Sequence, residues 1–546
     1  MAAPFHVKEI SLVHGGRLAL PAMGVIAIVG PNNTGKTTLL RDVHSRCGGT
    51  PRADTAVVGA LSQFVEQSAS EGEAWIRSKF PTDGARIHWP AEGSPVAFPA
   101  TWPPKGQGRQ LLSHYAPFDA RLRALRPQQL HRVDDGAKPE TLLGLLYEQS
   151  ASKTSIETAF GEAFPGQQVV LSPGPLLKLR IASGAWAIAG ATEYERLKEY
   201  GKLPTSNDQG SGTQSFVATL VLIETHPHPV LLIDEPEVSL APPQARRLGQ
   251  EIARAGSERQ VFVATHSSEL LRGVLETNPD LLTVIRLTRS GHATRARKLD
   301  QTEVQELWDS PLLKFTNTLD GLFHDRVVIT EDDVDSRFYS WVAAGRGGDV
   351  QYLSCAGKQN LHKVARPLRA VGVDVRVIAD FDLIRDKKQL TTLIEAMGGD
   401  AAEVLVPWND AYQALTGHPV RSHVDVRAEL VRYLEELPDH KGTSRSKVLK
   451  LLESTKEFAQ AKDLGCSLIA DEARLKPVTD LLERLASLRI HLVPNGEMES
   501  FVRDCASKNR KSLDWLNKVL EKVGNNPLHG ELLSARRFVA SVLADG

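Results

Sequence analysis

Residues 5–20 alternate between apolar and polar positions, as a strand with one buried face does, whereas Val25-Ile26-Ala27-Ile28-Val29 is an unbroken apolar run. A run of that length predicts a strand covered on both faces, and so a parallel sheet flanked by helices. Val230-Leu231-Leu232-Ile233 and Gln260-Val261-Phe262-Val263-Ala264 repeat the pattern, and the helical spacing of residues 243–255 between them completes a β-α-β unit. Residues 80–137 are rich in Pro, Gly and Arg and weakly periodic, which predicts long loops or a small inserted element. Around them, 139–164 and 184–200 have helical spacing, and 167–188 holds strand-like pieces such as Gln168-Val169-Val170-Leu171, so 50–200 reads as inserted or irregular structure. A second α/β pattern starts at Arg326-Val327-Val328-Ile329-Thr330 and continues through a helical stretch to a strand over 373–379, which puts a domain boundary near 320. Residues 421–487 read as a charged helical insertion, Ile490-His491-Leu492-Val493 as a return to the sheet, and the C-terminus as helical.

A chain of 546 residues accommodates about three domains or two enlarged ones. Its 41% hydrophobic and 24% charged residues exclude wholesale disorder. With 65 basic and 66 acidic residues the formal net charge is −1, so contact with nucleic acid has to use local patches. Arg121, Arg123, Arg126 and Arg132 form one candidate patch, and Lys508-Asn509-Arg510-Lys511 another. Cys47, Cys355, Cys466 and Cys505 are too scattered for a zinc ribbon, a disulfide framework or a thioredoxin-type pair. No apolar stretch reaches the length of a membrane span, and Met-Ala-Ala-Pro-Phe-His lacks the basic and apolar regions of a signal peptide, so the expectation is a cytoplasmic protein without a membrane partner.

Gly30-Pro31-Asn32-Asn33-Thr34-Gly35-Lys36-Thr37 fits G-x-x-x-x-G-K-[ST] and stands between a buried strand and a helix-forming Thr38-Leu39-Leu40-Arg41. The pattern arises by chance about 0.02 times in a chain of this length, which makes an accidental glycine turn a poor explanation. Backbone N–H groups from Gly30 to Thr38, Asn33 and Gly35 among them, would cradle phosphates. Lys36 would neutralise the β- and γ-phosphates, and Thr37 would place a hydroxyl on Mg²⁺, so ATP or GTP is implied. Asp234-Glu235 leave a buried strand where Asp234 can hold Mg²⁺ and Glu235 can act as general base. His266, after another strand, is placed to meet the γ-phosphate.

Those three motifs, in that order, resemble the ABC-type ATPase head shared by the SMC, RecF and OLD families. The resemblance implies ATP as the nucleotide. It also places Gln209-Gly210-Ser211-Gly212-Thr213-Gln214 at the signature loop, so that Ser211, Gly212 and Gln214 would complete a partner subunit's ATP site in a head-to-head dimer or higher homo-oligomer. The Q-loop glutamine of such heads stays open among Gln128, Gln129 and Gln149.

Downstream, Thr330-Glu331-Asp332-Asp333-Val334-Asp335 puts one acid after a strand and another four residues on, near each other across a first helical turn. Asp380-Phe381-Asp382 ends a second strand with acids two apart, on one side. Four carboxylates at two strand ends suit one or two Mg²⁺ ions. The arrangement resembles a Toprim domain, with Asp332 where that family often has Gly, and a head followed by Toprim is the layout of OLD-family nucleases. That resemblance implies a head over 1–320 and a Toprim nuclease domain over 321–546, with Glu331, Asp335, Asp380 and Asp382 as metal ligands for Mg²⁺ or Mn²⁺. It further implies a late acid, Glu499 favoured over Glu497, and a basic residue, Lys511 ahead of Lys508. Tyr339 reads as packing. The activity implied is that of an ATP-binding and ATP-hydrolysing, Mg²⁺-dependent DNA endonuclease in anti-phage defence, with DNA and a protein encoded in a defence operon as partners. A sensor or scaffold with a non-cutting Toprim domain, supported by Asp332, and a RecF-like repair ATPase are the alternatives.

Overall fold

The computed structural model describes residues 5–48, 57–65, 68–80, 82, 86–87, 96–97, 110–130, 139, 141–184, 186, 192–299, 302–305, 317–346, 348–417, 422–436, 448, 451–452, 458–505 and 513–544. It divides into two compact units, Met1–Gln305 and Glu306–Gly546.

The first unit opens with strands β1 (Phe5–Leu12) and β2 (Arg17–Ala19), which form a hairpin extended on the other edge by β4 (Val58–Val65), giving an antiparallel sheet β2-β1-β4. Between them β3 (Gly24–Val29) is buried at all six positions, as its unbroken apolar run requires, and leads into helix α1 (Lys36–Cys47). The central sheet adds β5 (Ser113–Ala116), β6 (Val230–Asp234), β7 (Gln260–Ala264), β8 (Leu282–Ser290) and β9 (Ala293–Lys298), in the order β9-β8-β3-β7-β6-β5. Five of the six strands run parallel, and only β9 pairs antiparallel, with β8. Ile26, Ile28, Leu232 and Phe262 pack with Leu39, Leu40 and Val43 of α1, each fully buried aliphatic side chain contributing about 1.5–3 kcal/mol. Helices α2 (Ser150–Ala163), α3 (Ser211–Thr225), α4 (Pro242–Gly256) and α5 (Ser268–Thr277) complete the elements used below.

Strand β5 corrects the reading of 80–137 as loop or insertion, because Ser113–Ala116 is the edge strand of the central sheet beside β6. Its four residues, Ser-His-Tyr-Ala, are half polar and too few to show a period. No helix among the described residues is long and apolar enough to cross a membrane.

The second unit is built on a four-stranded parallel sheet of β10 (Arg326–Thr330), β11 (Val350–Ser354), β12 (Asp374–Ala379) and β13 (Ile490–Leu492), ordered β11-β10-β12-β13. The crossovers carry α6 (Asp333–Val342) and α7 (Leu361–Ala370), and several helices between β12 and β13 end in α8 (Glu472–Ser487). Helices α9 (Leu513–Lys522) and α10 (Leu533–Leu543) contribute Trp515, Val519 and Val539 to a core that also holds Phe338 and Val342 of α6 and Ile378 of β12.

Candidate functional sites at two strand ends

In the first unit the loop from β3 to α1 turns through left-handed conformations at Gly30 (φ 133°), Asn33 (φ 62°) and Gly35 (φ 97°). A Cβ on Gly30 would lie 2.3 Å from the Leu287 carbonyl oxygen, so only glycine fits against β8. Arg289 donates to the Asn33 carbonyl (3.1 Å) and Thr294 to that of Thr34 (3.2 Å), so β8 and β9 brace the loop. The Lys36 ammonium donates to the carbonyls of Gly30 (2.9 Å) and Pro31 (2.8 Å), across the mouth where phosphate oxygens would sit. Burial lowers its pKa to about 8 against the pull of Glu235, Glu237 and Asp234. Thr38, half-buried, continues the first turn of α1.

Asp234 ends β6 and is held from two sides: Thr37 Oγ1 donates to Oδ1 and Tyr115 OH to Oδ2, both at 3.0 Å. Thr37 and Asp234, a hydroxyl and a carboxylate 3.0 Å apart, are an oxygen pair of the kind that suits Mg²⁺ beside polyphosphate oxygens. Glu235 follows with φ 46°, a strained angle for a non-glycine residue, and its side chain is 44% exposed, open to an attacking water. His266 Nε2 lies 3.7 Å from Glu235 Oε1; burial and the Lys36 charge lower the imidazole pKa to about 4, so at neutral pH this is a contact of a neutral ring and not an ion pair.

Three more residues build this site, and sequence reasoning missed them. Tyr115 reaches Asp234 from β5 and also accepts from Arg41 Nε (3.2 Å). Arg121 is buried, and its guanidinium donates to the carbonyls of Ala116 (2.9 Å), Asp234 (2.6 Å) and Glu235 (3.0 Å), which removes it from the basic patch proposed for DNA. Arg123 and Arg126 are exposed, and Arg132, Lys508 and Lys511 lie outside the described residues. Glu237 is half-buried, its carboxylate Oε1 accepting from Thr265 Oγ1 and from the His266 N–H, both at 2.7 Å, and desolvation raises its pKa. Its only signal was its place in Asp234-Glu235-Pro236-Glu237, where no periodicity shows direction.

The open glutamines are engaged elsewhere. Gln128 donates to the Ala124 carbonyl (3.0 Å) and accepts from the Leu143 N–H (2.8 Å), Gln149 accepts from Ser152 (3.2 Å), and Gln129 pairs with Leu176 in a separate small sheet. Ser211 is exposed at the start of α3; a Cβ on Gly212 would lie 2.6 Å from the Ser239 carbonyl oxygen, and Gln214 donates to the carbonyls of Asn207 (2.9 Å) and Gln209 (2.8 Å), fixing the loop before the helix.

In the second unit Glu331 and Asp380 leave the ends of neighbouring strands β10 and β12, and Glu331 Oε1 accepts the Asp380 N–H at 3.0 Å. Ligand oxygens of Glu331, Asp380 and Asp382 lie within 4.8 Å of one another, the one such group of three or more among the described residues. Glu331 and Asp380 are buried and Asp382 nearly so, and carboxylate oxygens at this spacing suit a hard divalent cation. Asp335 and Glu499 are outside that group. Asp335 Oδ2 accepts the Asp332 N–H (3.2 Å) in a reciprocal capping arrangement that starts α6. Tyr339, one turn after Asp335, packs its ring against Phe338, Phe501 and Phe538. Its hydroxyl is buried, and burial together with Asp335, Asp380, Glu499 and Glu331 holds its pKa well above the ordinary value.

Residues 104–272 match the family described as AAA domain, AbiEii toxin, Type IV TA system; the matched span includes Asp234, Glu235 and His266. The Old nuclease of Escherichia phage P2 is 26% identical over 168 residues, 28% of this chain and 28% of that protein, so the match spans under a third of the relative's length. Among solved structures, an Smc head bound to the C-winged helix domain of ScpA aligns over 54% of this chain and 98% of its own, with 14% identity and a TM-score of 0.36. The SMC head domain from Thermotoga maritima aligns over 54% and 99%, with 14% identity and a TM-score of 0.31. The sequence matches and the phosphate loop at the end of an inner strand of a parallel sheet identify the first unit as a nucleotide-binding P-loop ATPase domain, similar in part of its sequence to the Old nuclease.

Proposed function

We propose that this chain is an ATP-hydrolysing, Mg²⁺-dependent DNA endonuclease of the OLD type, its second unit a Toprim domain that cuts, with a role in defence against phage. The observation that carries the reading is the convergence of Glu331, Asp380 and Asp382 within 4.8 Å at the ends of parallel strands, in a chain whose relative is a nuclease. Glu331, Asp380 and Asp382, with Asp335 and Glu499, would hold a divalent cation, which would supply Lewis acidity to a phosphodiester oxygen and lower the pKa of bound water. The chain's own part is to aim three oxygens at one point: the Asp380 N–H fixes Glu331, and the strand ends fix Asp380 and Asp382.

In the first unit Lys36 moves from the Gly30 and Pro31 carbonyls to the β- and γ-phosphates of ATP. Thr37 and Asp234 would hold Mg²⁺, Glu235 would take the proton of the attacking water, and neutral His266 would donate to the γ-phosphate. Ser211, Gly212 and Gln214 at the start of α3 meet the nucleotide of a second copy, which makes the working assembly a homodimer through its heads. Asp332 departs from the Toprim pattern but serves α6 as its N-cap, so the departure has a local cause and does not favour a non-cutting domain.

The test is cleavage of supercoiled and linear DNA in Mg²⁺ or Mn²⁺, with and without ATP. The reading expects metal-dependent nicking that Asp380→Ala abolishes; no cleavage by the wild type under any of these conditions contradicts it.

A further inference from the structure

Two lysines reach the acidic end of the second unit from elements far apart in the chain. Lys358 follows β11 through a turn in which Ala356 (φ 56°) and Gly357 (φ 111°) are both left-handed. A left-handed alanine costs on the order of 1 kcal/mol or more and persists only when its surroundings impose it. Here the Cys355 N–H donates to the Thr330 carbonyl (3.1 Å), the Gly357 N–H to that of Glu331 (2.8 Å), and Asn360 Nδ2 to those of Cys355 (3.2 Å) and Ala356 (3.3 Å). The turn delivers Lys358 Nζ to 3.0 Å from Asp382 Oδ1.

Lys462 comes from the short helix Ala459–Leu464, which lies against the turn after β13. The approach is as close as backbones allow: a Cβ on Gly465 would be 2.2 Å from the Pro494 carbonyl oxygen, and one on Gly496 would be 2.6 Å from that of Lys462. The Cys466 N–H donates to the Pro494 carbonyl (2.8 Å) and the Phe381 N–H to that of Gly496 (2.9 Å), which locks this turn between the helix and the Asp380–Asp382 segment. Lys462 Nζ thereby lies 3.1 Å from Glu497 Oε1 and 3.5 Å from Asp382 Oδ2.

Both lysines share one carboxylate with the cation cluster. A divalent cation held by Glu331, Asp380 and Asp382 would compete for the Asp382 oxygens that Lys358 and Lys462 contact, turning the ammonium groups, 32% and 38% exposed, towards another anion. A phosphodiester carries the charge they would then lack, and a compact ammonium on a flexible stem exchanges partners more readily than a planar guanidinium.

We propose that Lys358 and Lys462 are a phosphate-binding pair: they neutralise Asp382 and Glu497 while the site holds no ion, and turn to the nonbridging oxygens of a DNA phosphate when those carboxylates serve divalent cations. This rests on the cutting reading of the same site. The test is binding of a short duplex oligonucleotide to the full chain in Ca²⁺ without ATP, over a range of salt, for wild type, Lys358→Ala, Lys462→Ala and Lys358→Arg. Mn²⁺ binding by paramagnetic resonance is measured alongside, with Asp380→Ala as reference. The expected result is DNA affinity about tenfold weaker in each alanine variant, with a salt slope reduced by about 1, partial recovery in Lys358→Arg, and Mn²⁺ binding retained or tightened. Wild-type affinity and slope in both alanine variants overturn the proposal, as does loss of Mn²⁺ binding, which would make the lysines supports of the fold. If the wild type binds no Mn²⁺ that Asp380→Ala removes, the cutting reading has failed and the proposal falls with it.

Discussion

In the first unit one aspartate, Asp234, faces the phosphate loop and divides its oxygens between the hydroxyls of Thr37 and Tyr115; in the second, Glu331, Asp380 and Asp382 converge within 4.8 Å. Both sets stand at the ends of parallel strands, but they differ in how many oxygens they offer. Mg²⁺ takes six oxygens, so a site with one carboxylate and one hydroxyl leaves most of them to polyphosphate and water and binds weakly without the polyphosphate. Three carboxylates come closer to completing a site without a nucleotide. The built-in cations differ accordingly: Lys36 rests on backbone carbonyls, which a phosphate can displace, while Lys358 rests on a carboxylate, which a metal must win from it. On the proposed reading, the difference makes metal binding nucleotide-dependent in one unit and autonomous in the other.

The largest effect expected in the first unit is from Glu235→Gln, which keeps the side chain's size but not its basicity. ATP hydrolysis should fall about 10²–10⁴-fold with ATP binding retained, measured by phosphate release and nucleotide titration. An unchanged hydrolysis rate would remove Glu235 as the base and leave the comparison without its catalytic half. A smaller effect is expected at Glu237, which bonds the His266 backbone N–H and the Thr265 hydroxyl. Glu237→Ala should lower kcat about tenfold with little change in KM, the loss of one to two hydrogen bonds to a charged acceptor. Glu237→Gln, whose amide oxygen still accepts, should restore most of it; equal loss in both variants would show that the charge matters and not the positioning.

The smallest effect concerns pH. The His114 ring lies 4.2 Å from that of His226 and 5.3 Å from that of His228, and burial lowers all three pKa values, that of His114 to about 3. In the unfolded chain these rings take up protons below about 6.5, whereas the folded rings refuse them, so stability is complete above that pH and falls as the pH drops from 6.5 towards 3. A denaturant midpoint for the first unit that is lower at pH 5.5 than at 7.5, with the difference reduced in His114→Phe, is the expected result. Equal midpoints at the two pH values would contradict it.

The parts of this picture that were legible in the sequence share a physical cause. Lys36, Asp234 and Glu331 each follow a long apolar run, so burial of the strand fixes where the polar residue emerges. Tyr115, Arg121, Glu237, Lys358 and Lys462 carry no such marker. Tyr115 sits on a strand of four residues, and Arg121 looks like one member of a surface basic run until tertiary structure buries it beneath Asp234 and Glu235. Lys358 and Lys462 are 104 positions apart and meet at Asp382 only because a left-handed turn and two close-packed glycines bring them there. Local pattern encodes which strand ends carry acids; which distant side chains come to neutralise them is decided by packing.

The most direct test of the central claim is Mn²⁺ binding to the full chain without nucleotide, by paramagnetic resonance, for wild type, Asp380→Ala and Lys36→Ala. The account predicts bound Mn²⁺ in wild type and in Lys36→Ala, lost in Asp380→Ala, with a further Mn²⁺ appearing in wild type, but not in Lys36→Ala, when ATP is added. Absence of nucleotide-free binding, or binding that Asp380→Ala leaves intact, would contradict it.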